Sequence, residues 1–354
     1  MLAGLEPRVK LSLYYKGVEV ADRELAEILY LVKETGSMLS ASRILGIPYS
    51  RVWERIARAE KQLEVQLVEA WRGGRERGGA RLTKAGLELL RRYESAYHRL
   101  LGAAPFTELA GVRGRLEGWI AASSHDLLLS HIIAWLREKG LVIEAYWVGS
   151  TAGLYSVLMG EAHLAGLHLY DKRSREYNKP FYESLGLKPI AVLVKGYLRS
   201  IGFASRRPLS RDEAIEKLLS GELRLVNRQK GSGTRALLDN LIEEEALRRG
   251  IPLQEAIAGI KGYEREVKTH LEVAEEVANG SADIGVVIEQ AARAYGLEYT
   301  PIWLEHYDFI VARSFLEKEA GRQFIEALKK QAPVIAGRLH GYTISEDIGE
   351  IIAG

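Results

Sequence analysis

Cysteine is absent from the 354 residues, which excludes disulfides, thiolate metal centres and cysteine nucleophiles. Amide side chains are scarce too: four Asn and seven Gln stand beside 49 Lys and Arg and 47 Asp and Glu, a bias that fits a heat-adapted source. No stretch offers the roughly 18 uninterrupted apolar residues that a membrane span needs. The amino-terminal MLAGLEPRVK is charged at Glu6, Arg8 and Lys10 and lacks the apolar run of a signal peptide. A cytoplasmic protein with no membrane partner is expected. There is no paired carboxylate, no HExxH motif and no G-x-x-x-x-G-K-[ST] loop, so the chain is read as a non-enzyme without a cofactor or a metal centre.

The length exceeds what one hydrophobic core usually organises and predicts two or more domains. The net charge is only +2, but it is unevenly spread. Residues 1–103 hold 18 basic and 13 acidic side chains, and the remainder holds 31 and 34. A polyanion therefore belongs on the first third.

That third reads as an α+β module. Residues 8–20 alternate around Lys16-Gly17, as a β-hairpin does. Leu25, Ile28, Leu29 and Val32 follow Asp22 at helical spacing; Gly36-Ser37 ends that helix and caps a second, Met38 to Leu45. The turn Gly46 to Ser50 leads into a third helix with Val52, Ile56, Ala59 and Leu63 on one face. This is a helix-turn-helix. Trp71 to Thr83 has four glycines around a basic tip and reads as a wing whose backbone can approach phosphates.

Predicted contacts to double-stranded DNA begin with Ser37 at the start of the second helix. The third helix adds Tyr49, Ser50, Arg51, Trp53, Arg55 and Arg58, and the wing adds Arg72, Arg75, Arg77 and Arg81. Arg51 and Arg55 lie one turn apart and suit a groove edge or phosphates. The helix over 83–101, apolar at Leu87, Leu90, Tyr93, Tyr97 and Leu100, is expected to pair two copies into a homodimer.

From residue 110 to 354, strands and helices alternate as in an α/β domain. Four strand-to-helix junctions carry hydroxyls: Ser123-Ser124, Ser150-Thr151, Ser232-Gly233-Thr234 and Thr269. Helix starts at the carboxyl ends of strands offer free N–H groups and a positive dipole end to anions. Each junction also reads as a plain N-cap; four in one domain favour a shared oxyanion site. Ser124-His125-Asp126 is no hydrolase triad, because adjacent residues cannot line up a proton relay. His163 and His168 are five apart on a predicted strand and face opposite sides, which disfavours a metal pair.

GSMLSASRILGIPYSRVWERIARAEKQL with WRGGRERGGARLTKAG closely resembles the winged helix-turn-helix of the molybdate-responsive ModE regulators, themselves similar to the LysR type. The ASSHD segment, GSTAGLYSVLMGEAHLAGLHLYD, the Glu176-Tyr177-Asn178 triplet, VNRQKGSGTRALLD and THLEVAEEVANGSADIGV resemble type II periplasmic-binding-protein-like domains grouped with molybdate-binding proteins. The resemblance implies two lobes, one of about 113–194 with 305–354 and one of about 195–304. The anion would sit between Ser123, Ser124, Ser150 and Thr151 on one side and Ser232, Gly233, Thr234 and Thr269 on the other. Tyr307 resembles the hinge-side tyrosine of oxyanion-binding members; Tyr177 and Asn178 are cleft residues or structural ones.

The expectation is thus a dimeric, ligand-responsive transcription regulator sensing molybdate or tungstate. Its alternatives are a LysR-like regulator of a small organic acid or other anion, and an oxyanion-handling protein of molybdenum cofactor metabolism.

Overall fold

In the computed structural model, which describes residues 10–71, 79–102, 104–109 and 118–354, the chain divides into two units. The first comprises Met1–Glu117 with Met159–Glu161, and the second Gly118–Leu158 with Ala162–Gly354.

The first unit opens with the hairpin β1 (Leu13–Tyr15) and β2 (Val18–Ala21). Lys16 and Gly17 both take left-handed backbone, at φ 48° and 79°, the conformation a two-residue hairpin turn requires. Helix α1 (Arg23–Thr35) starts where the Asp22 carboxylate accepts the Leu25 N–H, and it stops at Gly36. Helix α2 (Met38–Leu45) has the Ser37 hydroxyl as its cap and Gly46 as its end, and α3 (Tyr49–Leu63) follows. Strands β3 (Val68–Trp71) and β4 (Gly79–Leu82) pair antiparallel as the base of the wing. The wing tip with Arg72, Arg75 and Arg77 lies outside the described residues. Helix α4 (Lys84–Leu101) begins at Thr83, whose hydroxyl accepts the Gly86 N–H. Leu25, Ile28, Leu29 and Val32 of α1 pack inside with Leu39, Val52, Ile56 and Tyr93. Burying each such side chain stabilises the unit by about 1.5–3 kcal/mol.

The second unit begins with β5 (Trp119–Ser123), α5 (Leu127–Glu138), β6 (Ile143–Trp147), α6 (Ser150–Leu158) and β7 (Leu164–Leu167). A small hairpin, β8 (Tyr170–Asp171) and β9 (Glu176–Tyr177), leads to α7 (Lys179–Ser184) and the 15-residue strand β10 (Ala191–Ser205). There follow α8 (Arg211–Leu219), β11 (Leu225–Arg228), α9 (Gly233–Arg249), α10 (Leu253–Gly259), β12 (Glu266–Val267), α11 (His270–Ala278), β13 (Ile284–Ile288) and α12 (Glu289–Ala294). A second 15-residue strand, β14 (Glu298–Ala312), returns before α13 (Arg313–Leu316), α14 (Glu319–Lys330), α15 (Ala332–Ala336) and the short strands β15 (Tyr342–Thr343) and β16 (Ile351–Ala353).

All but the β8–β9 hairpin join one mixed sheet in the order β12-β11-β13-β10-β14-β7-β5-β6, with β15 and β16 added to β10. Parallel pairing joins β5 with β6 and β7, and β11 with β12 and β13. The antiparallel pair β10–β14 connects the two parallel groups. One end of that pair, Asp308–Val311, hydrogen-bonds to β7, and the other, Ile201–Ser205, to β13. The result is the two-lobed α/β architecture expected above. Among the described residues no helix is long and apolar enough to cross a membrane.

The sequence suggests two strands, Pro189 to Val194 and Tyr197 to Phe203; the structure joins them into β10 with an irregularity between Val194 and Tyr197. Gly196 lies inside it, its N–H donating to Asp308 Oδ1 (3.0 Å), and a Cβ there would sit 1.9 Å from the Tyr307 carbonyl oxygen. Such a bulge re-aims the side chains beyond it. Gly196→Ala should destabilise the protein by roughly 1–3 kcal/mol, as overpacking does, read as a lower urea midpoint with an unchanged slope.

Candidate functional site

Strand periodicity puts Tyr197 and Arg199 on one face of β10, and Glu305 and Tyr307 on one face of β14. The antiparallel register sets Arg199 directly opposite Glu305 and Tyr197 opposite Tyr307. Both pairs therefore share one face at the middle of the crossing strands. The loop after β5 brings Ser124, His125 and Asp126 there, and the chain after β7 brings His168. From the other lobe come Arg228 at the end of β11, Thr234 in the first turn of α9 and His270 opening α11.

Arg199 is the centre of this cluster and is 0 % exposed. Its Nε donates to Glu305 Oε1 at 2.5 Å, its Nη1 to Asp126 Oδ2 at 2.9 Å and to the His125 carbonyl at 3.3 Å. The guanidinium carbon lies 4.6 Å from the centre of the Tyr307 ring. Asp126 also accepts from the hydroxyls of Tyr197 (2.5 Å) and Tyr342 (3.0 Å) while capping α5 through the Leu129 N–H (2.8 Å). Burial opposes every charge here, but Glu305 and Asp126 keep the Arg199 pKa above its ordinary value. Against the same burial, Arg199 and then His168 hold Glu305 down at about 2.

Glu305 is ionised and can only accept, so the His168 Nδ1–H donates to its Oε2 at 2.9 Å. Neutral His168 then accepts the Ser124 hydroxyl at Nε2, 2.9 Å away. The connectivity is that of a serine–histidine–carboxylate relay. Its electrostatics are not: Glu305 is already neutralised by Arg199, and burial lowers the His168 pKa with help from Arg199 and Arg228. An imidazolium is disfavoured at this position, and the chain orients groups rather than moving a proton.

Several buried polar atoms around this core have no hydrogen-bond partner among the described residues: Arg199 Nη2, Arg228 Nε and Nη1, His125 Nδ1, both ring nitrogens of His270, and Thr234 Oγ1. Each such atom costs roughly 1–3 kcal/mol if left unmade. Arg228 is 2 % exposed and anchored through Nη2 to the Lys268 carbonyl at 2.8 Å. Burial, then the Arg199 charge, lowers its pKa to about 9, still charged at neutral pH. The His125 ring lies 6.2 Å from that of His270 and meets Trp147 edge-on at 5.2 Å. Gly233 permits the lobes to touch, since a Cβ there would lie 2.5 Å from the His168 ring. The arrangement is a buried cluster of polar groups, several of them unpartnered donors of the kind that suit an anion.

The expected hydroxyl cage is corrected in detail. Ser123 Oγ accepts the Gly166 N–H (2.9 Å), and Ser150 Oγ the His168 N–H (3.2 Å). Ser232 caps α9, and Thr269 caps α11 in a capping box with Glu272. Ser232 and Thr269 thus close local backbone as caps, Ser123 and Ser150 tie segments distant in the chain, and Thr151 is exposed. Ser124, Gly233 and Thr234 do reach the cluster, while the Tyr307 hydroxyl donates to the Ser124 carbonyl at 2.6 Å and its ring faces Arg199. Asn178 brackets the chain by accepting the Leu169 N–H and donating to Asp308. Tyr177 packs its ring on Tyr170 and His306. Sequence reasoning missed Arg199, Glu305, His168 and His270 as site residues. A charge inside an otherwise apolar strand, at Arg199 and Glu305, was the available signal.

In the first unit, Tyr49 is 2 % exposed, its hydroxyl donating to Glu161 of the same unit, and Ser37 is buried as the α2 cap. Neither side chain is free for a groove, which corrects those two expectations. Arg51 is exposed and bidentate to Glu24, both bonds 2.7 Å; Arg55 pairs with Asp22 and lies 3.7 Å from Glu24. Ser50 and Trp53 are half-buried and Arg58 is exposed. Arg81 is exposed and paired with Glu69 at 2.8 Å. Pairs whose arginine is exposed, as at Arg51 and Arg81, are worth about 0–1 kcal/mol, so a phosphate can displace those carboxylates.

Comparison with known proteins adds family context. Residues 134–329, more than half of the chain, match the PBP superfamily domain, and residues 24–87 match the bacterial regulatory helix-turn-helix proteins of the lysR family. Uncharacterized protein YvgK of Bacillus subtilis is 28% identical over 208 residues, 58% of this chain and 62% of that protein. Molybdenum-pterin-binding protein MopA of Rhodobacter capsulatus is 32% identical over 117 residues, 33% of this chain and 41% of that one. Transcriptional regulator ModE of Yersinia pestis is 30% identical over 90 residues, 25% and 34% of the two chains. The chain thus spans less than two thirds of the length of each of these relatives.

Glu305→Gln should cost about 3–5 kcal/mol, because it leaves Arg199 underpaired in the interior. Since the Glu305 pKa falls from 4.5 to about 2 on folding, the stabilisation by this carboxylate is complete above pH 4.5 and is lost as the pH drops through 2. Urea unfolding followed from pH 5 downward should therefore show the wild type and the variant converging.

Proposed function

Because the chain belongs to the PBP superfamily through residues 134–329 and carries a LysR-type helix-turn-helix at residues 24–87, we propose that it is a transcription regulator whose two-lobed unit senses an oxyanion, molybdate or tungstate first. The carrying observation is the set of buried, unpartnered donors on Arg199, Arg228, His125, His270 and Thr234. The similarity to MopA, a molybdenum-pterin-binding protein, supports the choice of metal oxyanion, and that to the transcriptional regulator ModE supports the regulatory role.

The pocket draws its donors from both lobes, so an anion binds best where the lobes meet. A ligand shifts such an equilibrium by its differential affinity for the two states, and linkage passes that free energy to DNA binding. The first unit reads double-stranded DNA through α3 and the wing, which places the protein's work in the cytoplasm. Two copies pair through α4: Leu100 and Leu101 are exposed at its end, and a groove of mixed character, lined by Tyr14, Tyr15, Val65 and Leu89 and by Arg91, Arg92 and Arg99, runs beside it. No step needs a cofactor. A second reading, a small organic acid as effector, is favoured by the two guanidiniums, which suit a carboxylate as well as an oxyanion.

Calorimetry on the full chain with molybdate, tungstate, sulfate, phosphate and a dicarboxylate separates these readings. Molybdate or tungstate should bind at micromolar concentration or below, and binding of the dicarboxylate alone would transfer the site to the second reading. Arg228→Ala should weaken the anion about 10- to 100-fold, the worth of one or two charged hydrogen bonds. Arg51→Ala and Arg55→Ala should each lower the affinity for the DNA upstream of the protein's own gene, read by fluorescence anisotropy. Unchanged affinity in both would overturn the assignment of α3 as the reading helix.

A further inference from the structure

The charges inside the pocket balance before any ligand enters. Arg199 and Arg228 are offset by Asp126 and Glu305, all nine-tenths buried or more. Nothing in that sum compensates a dianion, and a net buried charge is strongly disfavoured in the interior. The donor inventory has a matching gap. Both ring nitrogens of His270 and Nδ1 of His125 lack partners among the described residues. A neutral imidazole presents one donor and one acceptor, whereas a fully ionised oxyanion presents acceptors only. A neutral His270 can therefore offer an oxyanion only one N–H and leaves its other ring nitrogen unmatched.

One change removes both mismatches. We propose that capture of a fully ionised oxyanion in this pocket is coupled to proton uptake by His270 and His125, so that the site holds its ligand more tightly as the pH falls. The inference rests on the oxyanion reading of the preceding section and adds to it a regulation by pH.

The surroundings fit this role. His270 is faced by Arg228 from β11, Arg199 from β10, His125 from the loop after β5 and His168 beyond β7; His125 is faced by Arg228, Asp126 and Arg199 and packs on Trp147. Glu305 of β14 reaches the cluster through Arg199 and His168, and Glu272 of α11 acts on Arg228. Burial, then the arginine charges, keeps His270 well below 6.5, and burial with Arg228 brings His125 to about 4. Both rings are thus neutral at pH 7 until an anion reverses the local potential. His168 is not a candidate, because both of its nitrogens are already engaged, by Ser124 and Glu305. Hydrogen phosphate brings its own donor and satisfies a neutral imidazole without an added proton, which separates it from molybdate, tungstate and sulfate.

The test is calorimetry of the full chain with sodium molybdate at constant pH in buffers of different ionisation enthalpy. The dependence of the heat on the buffer reads protons taken up per anion bound. We expect uptake of more than one and up to two protons at pH 7, and a Kd that weakens by about tenfold per pH unit for each proton as the pH rises above neutral. His270→Gln retains a donor but cannot be protonated, and should reduce the uptake and flatten the pH dependence; His125→Asn provides the same reading should the first variant not fold. Binding of molybdate with no proton uptake and a pH-independent Kd would overturn the coupling and leave the oxyanion reading standing. Absence of binding by molybdate, tungstate and sulfate overturns both. Uptake undiminished in the double variant overturns the assignment to these two rings.

Discussion

A guanidinium with no access to water sits at the crossing of the two longest strands, and most of the second unit is arranged to make that tolerable. Arg199 would cost several kcal/mol to bury alone. It is held by Glu305 from the opposite strand, Asp126 from the loop after β5 and the face of Tyr307. Those partners carry further partners in turn. Asp126 caps α5 and gathers two tyrosine hydroxyls, Glu305 fixes the His168 tautomer, and His168 holds the Ser124 hydroxyl. One charge pair thereby orients residues from four segments of the chain, each of which would otherwise have its own freedom to settle.

The two lobes use this frame unequally. The lobe built on β5, β6 and β7 leaves one nitrogen of His125 unmatched, and the connecting strand β10 leaves one on Arg199. The other lobe leaves Arg228, His270 and Thr234 with unmatched atoms. The helix-turn-helix unit follows a weaker version of the same logic. Arg51, Arg55 and Arg81 rest on partly exposed carboxylates of their own unit. Pairs open to solvent on at least one side, as at Arg51 and Arg81, cost little to exchange for phosphate.

Much of the fold was legible because its signals are local. The first unit's helices could be bounded by Asp22, Ser37, Gly36 and Gly46, since a cap needs only the three or four residues beside it. The division of the rest into strands and helices followed from periodicity, including the break at Gly196, where one long strand read as two. The small strands β15 and β16 gave no such pattern. They are too short to carry a period, and pairing with β10 alone defines them.

The site was legible only in outline. Sequence alone determined that hydroxyls and glycines cluster at four helix starts on the carboxyl ends of strands, and that Arg228 and Arg235 flank one of them. It did not determine which hydroxyls face inward, because a cap and a ligand contact demand the same residue type at the same position. Arg199 and Glu305 are 106 residues apart in the chain, and only strand register decides that they meet. His168 and His270, from opposite lobes, likewise come near each other only in the folded chain. Residue type and spacing can announce an anion site. Which donors are left without partners to hold it is a property of the packed tertiary structure, because a donor is free only after every other group has taken its place.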